Sequence, residues 1–201
     1  MSPTQSPRTA SQPRRRADAE RSVARILDAA IDALASDPDA SMAEIARRAG
    51  VVRATIYVHF PTRESLIQAV TERAISEATH AIEAAEPGRG NPADALKRVV
   101  AAAWSSLGRY HALVAHNTRL PHAELHRRHQ PILAILQPLI ERGQHDGTFR
   151  SDVSAAWHLA TILALVHAAS AELRAGRLSA DKADVVVVAT VVGALSAPAA
   201  E

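Results

Sequence analysis

Residues 41–66 read SMAEIARRAGVVRATIYVHFPTRESL, and this stretch decides the fold. Ser41 and Glu44 have the spacing of a capping box, in which the hydroxyl takes one backbone N–H and the carboxylate returns a bond to another. Ile45, Ala46 and Ala49 then line one face of a helix about two turns long. Gly50 follows, and glycine suits the left-handed residue that stops a helix. A second short helix is expected from Arg53 to His59, with Ile56, Phe60 and Val51 turned toward a core. After Pro61, Thr62 can cap a longer helix that carries Leu66, Ile67, Val70 and Ala74 to about Ala85. Two short helices joined by a tight glycine turn form a helix-turn-helix, whose second helix is a candidate reader of a major groove.

Charge agrees with that reading. Residues 41–63 hold Arg47, Arg48, Arg53 and Arg63 against Glu44, whereas residues 17–86 as a whole hold 7 basic and 12 acidic side chains. A positive spot on an acidic segment is the pattern of a localised phosphate contact. In the second helix, Arg53 at the start can reach a base edge, while Thr55, Tyr57 and His59 offer short or rigid donors to phosphate oxygens. The helix N-terminus at Thr62, with Arg63, can hold a further phosphate. The plainer alternative for Tyr57 and His59 is a half-buried aromatic pair.

Upstream, Val23, Ile26, Leu27, Ala30, Ile31 and Leu34 give the apolar stripe of an amphipathic helix starting at Ala19 and ending at Asp37-Pro38-Asp39. Residues 1–18 are expected to be a disordered basic arm. Arg8, Arg14, Arg15 and Arg16 make it either a solvated tail or an arm that follows nucleic acid.

The string from Ser41 to Leu66, with the helix before it, closely resembles the DNA-binding signature of the TetR family, the tetracycline-repressor-like transcriptional regulators. The resemblance runs from about Arg21 to Val70 and rests on the turn glycine, the run Thr55-x-Tyr57-x-His59-Phe60 and the capped helix that follows. It implies an all-α homodimer: a three-helix DNA-binding domain at residues 19–86 and a helical domain for effector binding and dimerisation at residues 87–201. Phosphate contacts are implied at Thr55, Tyr57, His59 and Arg63, and base contacts at Arg53 and Ala54, with Ser41 as the cap of the first helix. Val52 stands where the family often has a capping serine, a loss of about 1 kcal/mol for the start of that helix. The resemblance further implies repression from a palindromic operator on double-stranded DNA, released by a small-molecule effector, in the cytoplasm and without a cofactor.

Beyond Glu86-Pro87-Gly88-Arg89-Gly90-Asn91-Pro92, the expected domain boundary or at least a sharp turn, the chain stays helical. Leu96, Val99, Val100, Ala103 and Leu107 form one stripe. A helix is expected from Pro131, which can open it, to Arg142, with Pro138 bending it; Gly143 to Arg150 reads as a loop, and Ser151 or Asp152 as the next cap. Trp157, Thr161, Ala164, Ala168 and Ala171 make a small-residue face. Asp184 to Leu195 is apolar nearly all round, and a second copy of the chain is the economical cover for it; burial within its own subunit is the alternative. Trp104, Tyr110, His111, Trp157, His158 and His167 are candidate ligand contacts or, more simply, core.

Composition excludes several classes. With 201 residues, 47% hydrophobic and 22% charged, the chain can bury a sizeable core, and its 3% aromatic content makes that core aliphatic. The absence of cysteine removes disulfides, thiolate zinc sites and cysteine nucleophiles. No apolar run reaches the ~20 residues of a membrane span. No nucleophile elbow or phosphate-cradling glycine loop is present, so an enzyme is not expected. Ten histidines are unusual, and His122, His126 and His129 share a helix face that could hold a metal ion; Arg127 and Arg128 beside them favour a solvated face and no metal. An all-helical protein-interaction module and a metal-responsive regulator remain as alternatives.

Overall fold

Ser41 caps the helix after it: its hydroxyl accepts the Glu44 N–H at 3.2 Å, and helix α2 runs Met42–Arg48. The computed structural model, which describes residues 11–111, 113, 114 and 121–198, is helical throughout its regular structure apart from one isolated bridge between Phe149 and Ser196. The other helices are α1 (Ser11–Ser36), α3 (Arg53–His59), α4 (Arg63–Ala84), α5 (Pro92–Ser106), α6 (His122–His145), α7 (Ala155–Arg174) and α8 (Ala180–Leu195), with a single 3₁₀ turn at Gly108–Tyr110.

Packing divides the chain between Val70 and Thr71, inside α4. In the first unit α1 packs on α2 and α2 on α3. Its core is the expected stripe: Ile26, Ala30, Ile31 and Leu34 from α1, Ile45 and Ala46 from α2, Ile56 from α3, and Leu66 and Val70 from α4 are all buried. Residues 11–18, expected in the arm, continue α1; Arg16 pairs with Glu20 at 3.1 Å and Arg21 with Asp18, the i,i+4 and i,i+3 contacts that support an exposed helix. Residues 1–10 lie outside the described residues.

The second unit is a helical bundle in which α5 packs on α6 and α8, and α7 on α6 and α8. Its core gathers Leu96, Val99, Val100 and Trp104 with Leu133, Leu136, Ile140, Phe149 and Val187. The later part of α4 belongs here because Ala74, Ala78 and Ile82 are buried with these helices. The glycine- and proline-rich stretch is a pinned turn: Arg98 donates to the carbonyls of Ala85, Glu86 and Arg89, and Arg142 to those of Pro87 and Gly88.

Pro131 and Pro138 both lie inside α6, which starts well before Pro131. The helix also continues past Gly143 to His145, and the cap of α7 is Ser154, whose hydroxyl accepts the Trp157 N–H at 3.2 Å. Gly143 has a packing reason: a Cβ there would lie 2.1 Å from the buried Phe149 ring. Helix α7 is long and apolar enough to cross a membrane by length and composition alone, although polar residues interrupt its apolar runs. It is a bundle helix all the same, burying His158, Leu159, Ile162, His167 and Ser170.

Burial within its own subunit, the alternative reading of helix α8, does not cover its apolar surface. Within one chain only Ala183, Val187, Val191 and Leu195 are buried, while Val185 is 73% exposed and Val186 43%.

Candidate nucleic-acid interface

Gly50 takes φ +65°, and the N–H groups of Gly50 and Val51 return to the carbonyls of Arg47 and Ala46 at 3.2 and 3.0 Å. This closes α2 in the manner of a left-handed C-cap and releases the chain into α3. Val52 then stands at the N-cap in extended conformation, φ −70° and ψ 148°, with no side-chain bond to the orphan N–H groups. The uncapped start anticipated from the sequence is therefore present.

Ile56 and Phe60 anchor α3 from below, and this sets what the helix turns outward. Arg53, Ala54, Tyr57 and Val58 are exposed, Val58 at 78%, whereas Thr55 and His59 are half-buried. The Arg53 guanidinium lies 5.7 Å from the centroid of the Tyr57 ring, near enough for a cation–π contact that holds both side chains on the outer face. Tyr57 and His59 do not form an aromatic pair; the neighbour of His59 is Phe60, at 6.4 Å between ring centroids.

The structure revises how the positive charge is distributed. Glu44 does not return the capping bond; its carboxylate takes Arg47 at 2.6 Å and Arg48 at 2.9 Å. Those two hydrogen bonds hold the Glu44 carboxyl down to about 2. Arg63 is also engaged, donating to the carbonyls of Pro38 at 2.5 Å and Ala40 at 3.4 Å, so it ties the start of α4 to the loop after α1. Thr62 and Ser65 cap α4 reciprocally, each hydroxyl accepting the other's backbone N–H at 3.1 and 3.2 Å. A count of arginines in the sequence carries no sign of these engagements. Nor does it point to Val58, whose exposure follows from its place two residues past the buried Ile56.

The second unit holds an apolar cavity of about 80 Å³, room for a handful of waters. Thr71, Ala74 and Ala78 of α4, Val99 and Ala103 of α5, His129, Leu133 and Leu136 of α6, and Ile162 and His167 of α7 contribute to its wall. Of the candidate ligand contacts, His167 alone reaches it. Trp104 is buried with its ring 4.4 Å from that of His111, and His111 Nδ1 is 3.1 Å from the Ser170 hydroxyl. Tyr110 is buried, its phenol pushed up to about 12 by burial first and then by the Glu77 carboxylate. His158 Nε2 donates to the Arg150 carbonyl at 2.9 Å, a core tie, and Trp157 is 63% exposed.

Among the described residues no three potential metal ligands gather. The His122 side chain lies outside them. His129 turns instead to His167, 5.3 Å away between ring centroids, and Glu124 is taken by Arg127 and Arg128 at 2.7 and 2.6 Å.

A short, well-anchored helix presented beyond a glycine turn, in an all-helical chain, defines a helix-turn-helix protein. Residues 26–70 match the sequence model of the tetR family of bacterial regulatory proteins. It is similar to the HTH-type transcriptional repressor LfrR of Mycolicibacterium smegmatis, 41% identical over 81 residues, which are 40% of this chain and 43% of LfrR. The match therefore spans less than half of that relative. The HTH-type transcriptional regulator NfxB of Pseudomonas aeruginosa is 29% identical over 156 residues, 76% of this chain and 83% of NfxB. In fold the chain is similar to LfrR from Mycobacterium smegmatis solved in complex with proflavine, with TM-score 0.69 and 24% identity over 89% of this chain and 98% of that one.

Proposed function

We propose that the chain is a ligand-responsive transcriptional regulator, acting as a repressor, that binds a near-palindromic operator as a homodimer and leaves it when a small-molecule effector binds. The observation that carries this reading is the outer face of α3, where Arg53, Ala54, Tyr57 and Val58 project from a helix fixed beneath by Ile56 and Phe60. Arg53 and Ala54 address base edges, and Val58 offers an apolar surface to a thymine methyl. Thr55, Tyr57 and His59 take phosphate oxygens. Ser41 and Arg63 act through position, the first by capping α2 and the second by holding the start of α4.

Dimerisation is assigned to α7 and α8. Trp157, Ala164 and Ala168 of α7 and Val185, Val186, Ala189 and Thr190 of α8 are exposed in a single chain, an apolar and small-residue surface suited to close helix packing. The LfrR structure carries proflavine, which supports a small-molecule role for the second unit here, and the cavity is the candidate site. Such an effector releases DNA only if it binds the DNA-incompetent dimer more tightly than the competent one. The reading places the protein in the cytoplasm, where the operator is, with no catalytic role.

A gel shift against the DNA flanking the protein's own gene tests this. The expected result is a specific complex whose log affinity falls linearly with log salt; equal binding to all fragments, or none, contradicts it.

A further inference from the structure

We infer that the cavity of the second unit takes an uncharged, lipophilic molecule whose inserted end carries one hydrogen-bond donor, a hydroxyl or an N–H, delivered to Nδ1 of His167. The inference rests on the effector reading of that cavity and adds the chemical class of the ligand.

His167 is 5% exposed, lines the cavity, and its Nδ1 is buried with no hydrogen-bond partner. The ring bonds the Val114 backbone, so its other nitrogen is the one that donates there. A neutral imidazole that donates at Nε2 keeps a lone pair at Nδ1. His129 follows the same logic with the nitrogens exchanged: its Nδ1 is 2.8 Å from the Leu125 carbonyl, which can only accept, and the lone pair falls on Nε2. The two rings meet edge to face at 5.3 Å. Burial keeps both imidazoles below the ordinary histidine range, His167 down to about 4, so at neutral pH each is an acceptor and not a cation.

Among the described residues no carboxylate or other charged side chain lines the cavity, and the rest of its wall is aliphatic apart from Thr71. A cationic ligand would therefore enter without a counter-charge. A carboxylate would bring lone pairs against lone pairs. A molecule that displaces water from the His167 edge must supply the donor that water can supply, or leave a buried acceptor unmet. The sequence alone points to both His167 and His129, but for different roles and on different helices.

The test is isothermal titration of the full-length protein with 4-hexylphenol, 4-hexylanisole, 4-hexylbenzoate and hexyltrimethylammonium. The phenol is expected to bind at least about tenfold more tightly than the anisole, the cost of one unmet buried hydrogen bond, with the two ions weaker still. Long-range ¹H–¹⁵N spectra should show the His167 Nδ1 resonance moving with the phenol and not with the anisole. His167→Phe should bring phenol and anisole close to equal affinity, and Ala103→Trp, which fills the cavity, should abolish phenol binding. Phenol and anisole binding alike to the unaltered protein would overturn the donor requirement and leave the cavity as an effector site. Failure of all four compounds to bind, or unchanged phenol binding to Ala103→Trp, would overturn the cavity reading as well. Should His167→Phe fail to fold, the comparison in the unaltered protein and the nitrogen resonance decide the matter.

Discussion

The first unit turns Arg53, Tyr57 and Val58 outward and makes many of its polar contacts locally; the second buries the Tyr110 phenol and the His158 and His167 imidazoles and leaves apolar side chains outside. In the first, Ser41 with Glu44, Thr62 with Ser65 and Arg53 with Tyr57 all lie three or four residues apart. In the second, His167 meets His129 and Ser170 meets His111 across long stretches of chain, while Val185 and Trp157 face outward. The contrast teaches where function is written. Contacts with a charged duplex need exposed donors on a stiff helix, whereas an effector site and a subunit interface need removal of water from apolar surface.

The strongest way to break the contrast is to collapse the first unit alone. Ile56→Ala removes the buried anchor of α3, at a cost of about 2–5 kcal/mol for such a deletion. DNA binding should be lost in an anisotropy titration while sedimentation still reports the assembled dimer. Simultaneous loss of both would mean the two regions are not separable.

The second unit can be probed through its buried imidazoles. Burial holds the His167 imidazole down to about 4, against 6.5 for an ordinary histidine. Between those values the unfolded chain binds more protons than the native one, so stability is complete above pH 6.5 and falls as pH drops toward 4. The full loss at this one imidazole is about 3 kcal/mol, because each tenfold weakening of proton binding corresponds to about 1.4 kcal/mol. Denaturant midpoints at pH 7 and 5 should differ in the native protein and differ less in His167→Leu.

These two regions were unequally legible. The limits of α2 and α3, the turn at Gly50 and the uncapped Val52 followed from the sequence because each depends on residues within one or two helical turns. The engagements of Arg63 with Pro38 and Ala40 did not, since they span more than twenty positions and involve backbone carbonyls that carry no sequence signal. In the second unit the apolar stripe of α5 was readable, yet Trp104, Tyr110 and His158 are buried in the core and His111 is half-buried against Trp104. A ring on an apolar face looks the same in sequence whether it meets a cavity or a neighbouring helix. The prolines misled for a related reason: Pro131 and Pro138 fit inside α6, where propensity alone would end or bend a helix.

Smaller effects are expected within α3 itself. Arg53→Ala should relax sequence preference by about 1–3 kcal/mol, visible as a smaller gap between cognate and mismatched fragments. Thr55→Ala should instead weaken every fragment alike and reduce the salt slope. Val52→Ser should add a side-chain cap where the backbone already has the right conformation, raising stability by about 1 kcal/mol in a thermal melt.

The central claim is that paired copies of α3 grip one duplex. It is tested most directly by sedimentation of the protein with a labelled fragment from beside its own gene, at several salt concentrations. Two chains per site are expected, with an affinity that drops steeply as salt rises. A protein that sediments as a single chain at micromolar concentration and prefers no fragment would contradict it.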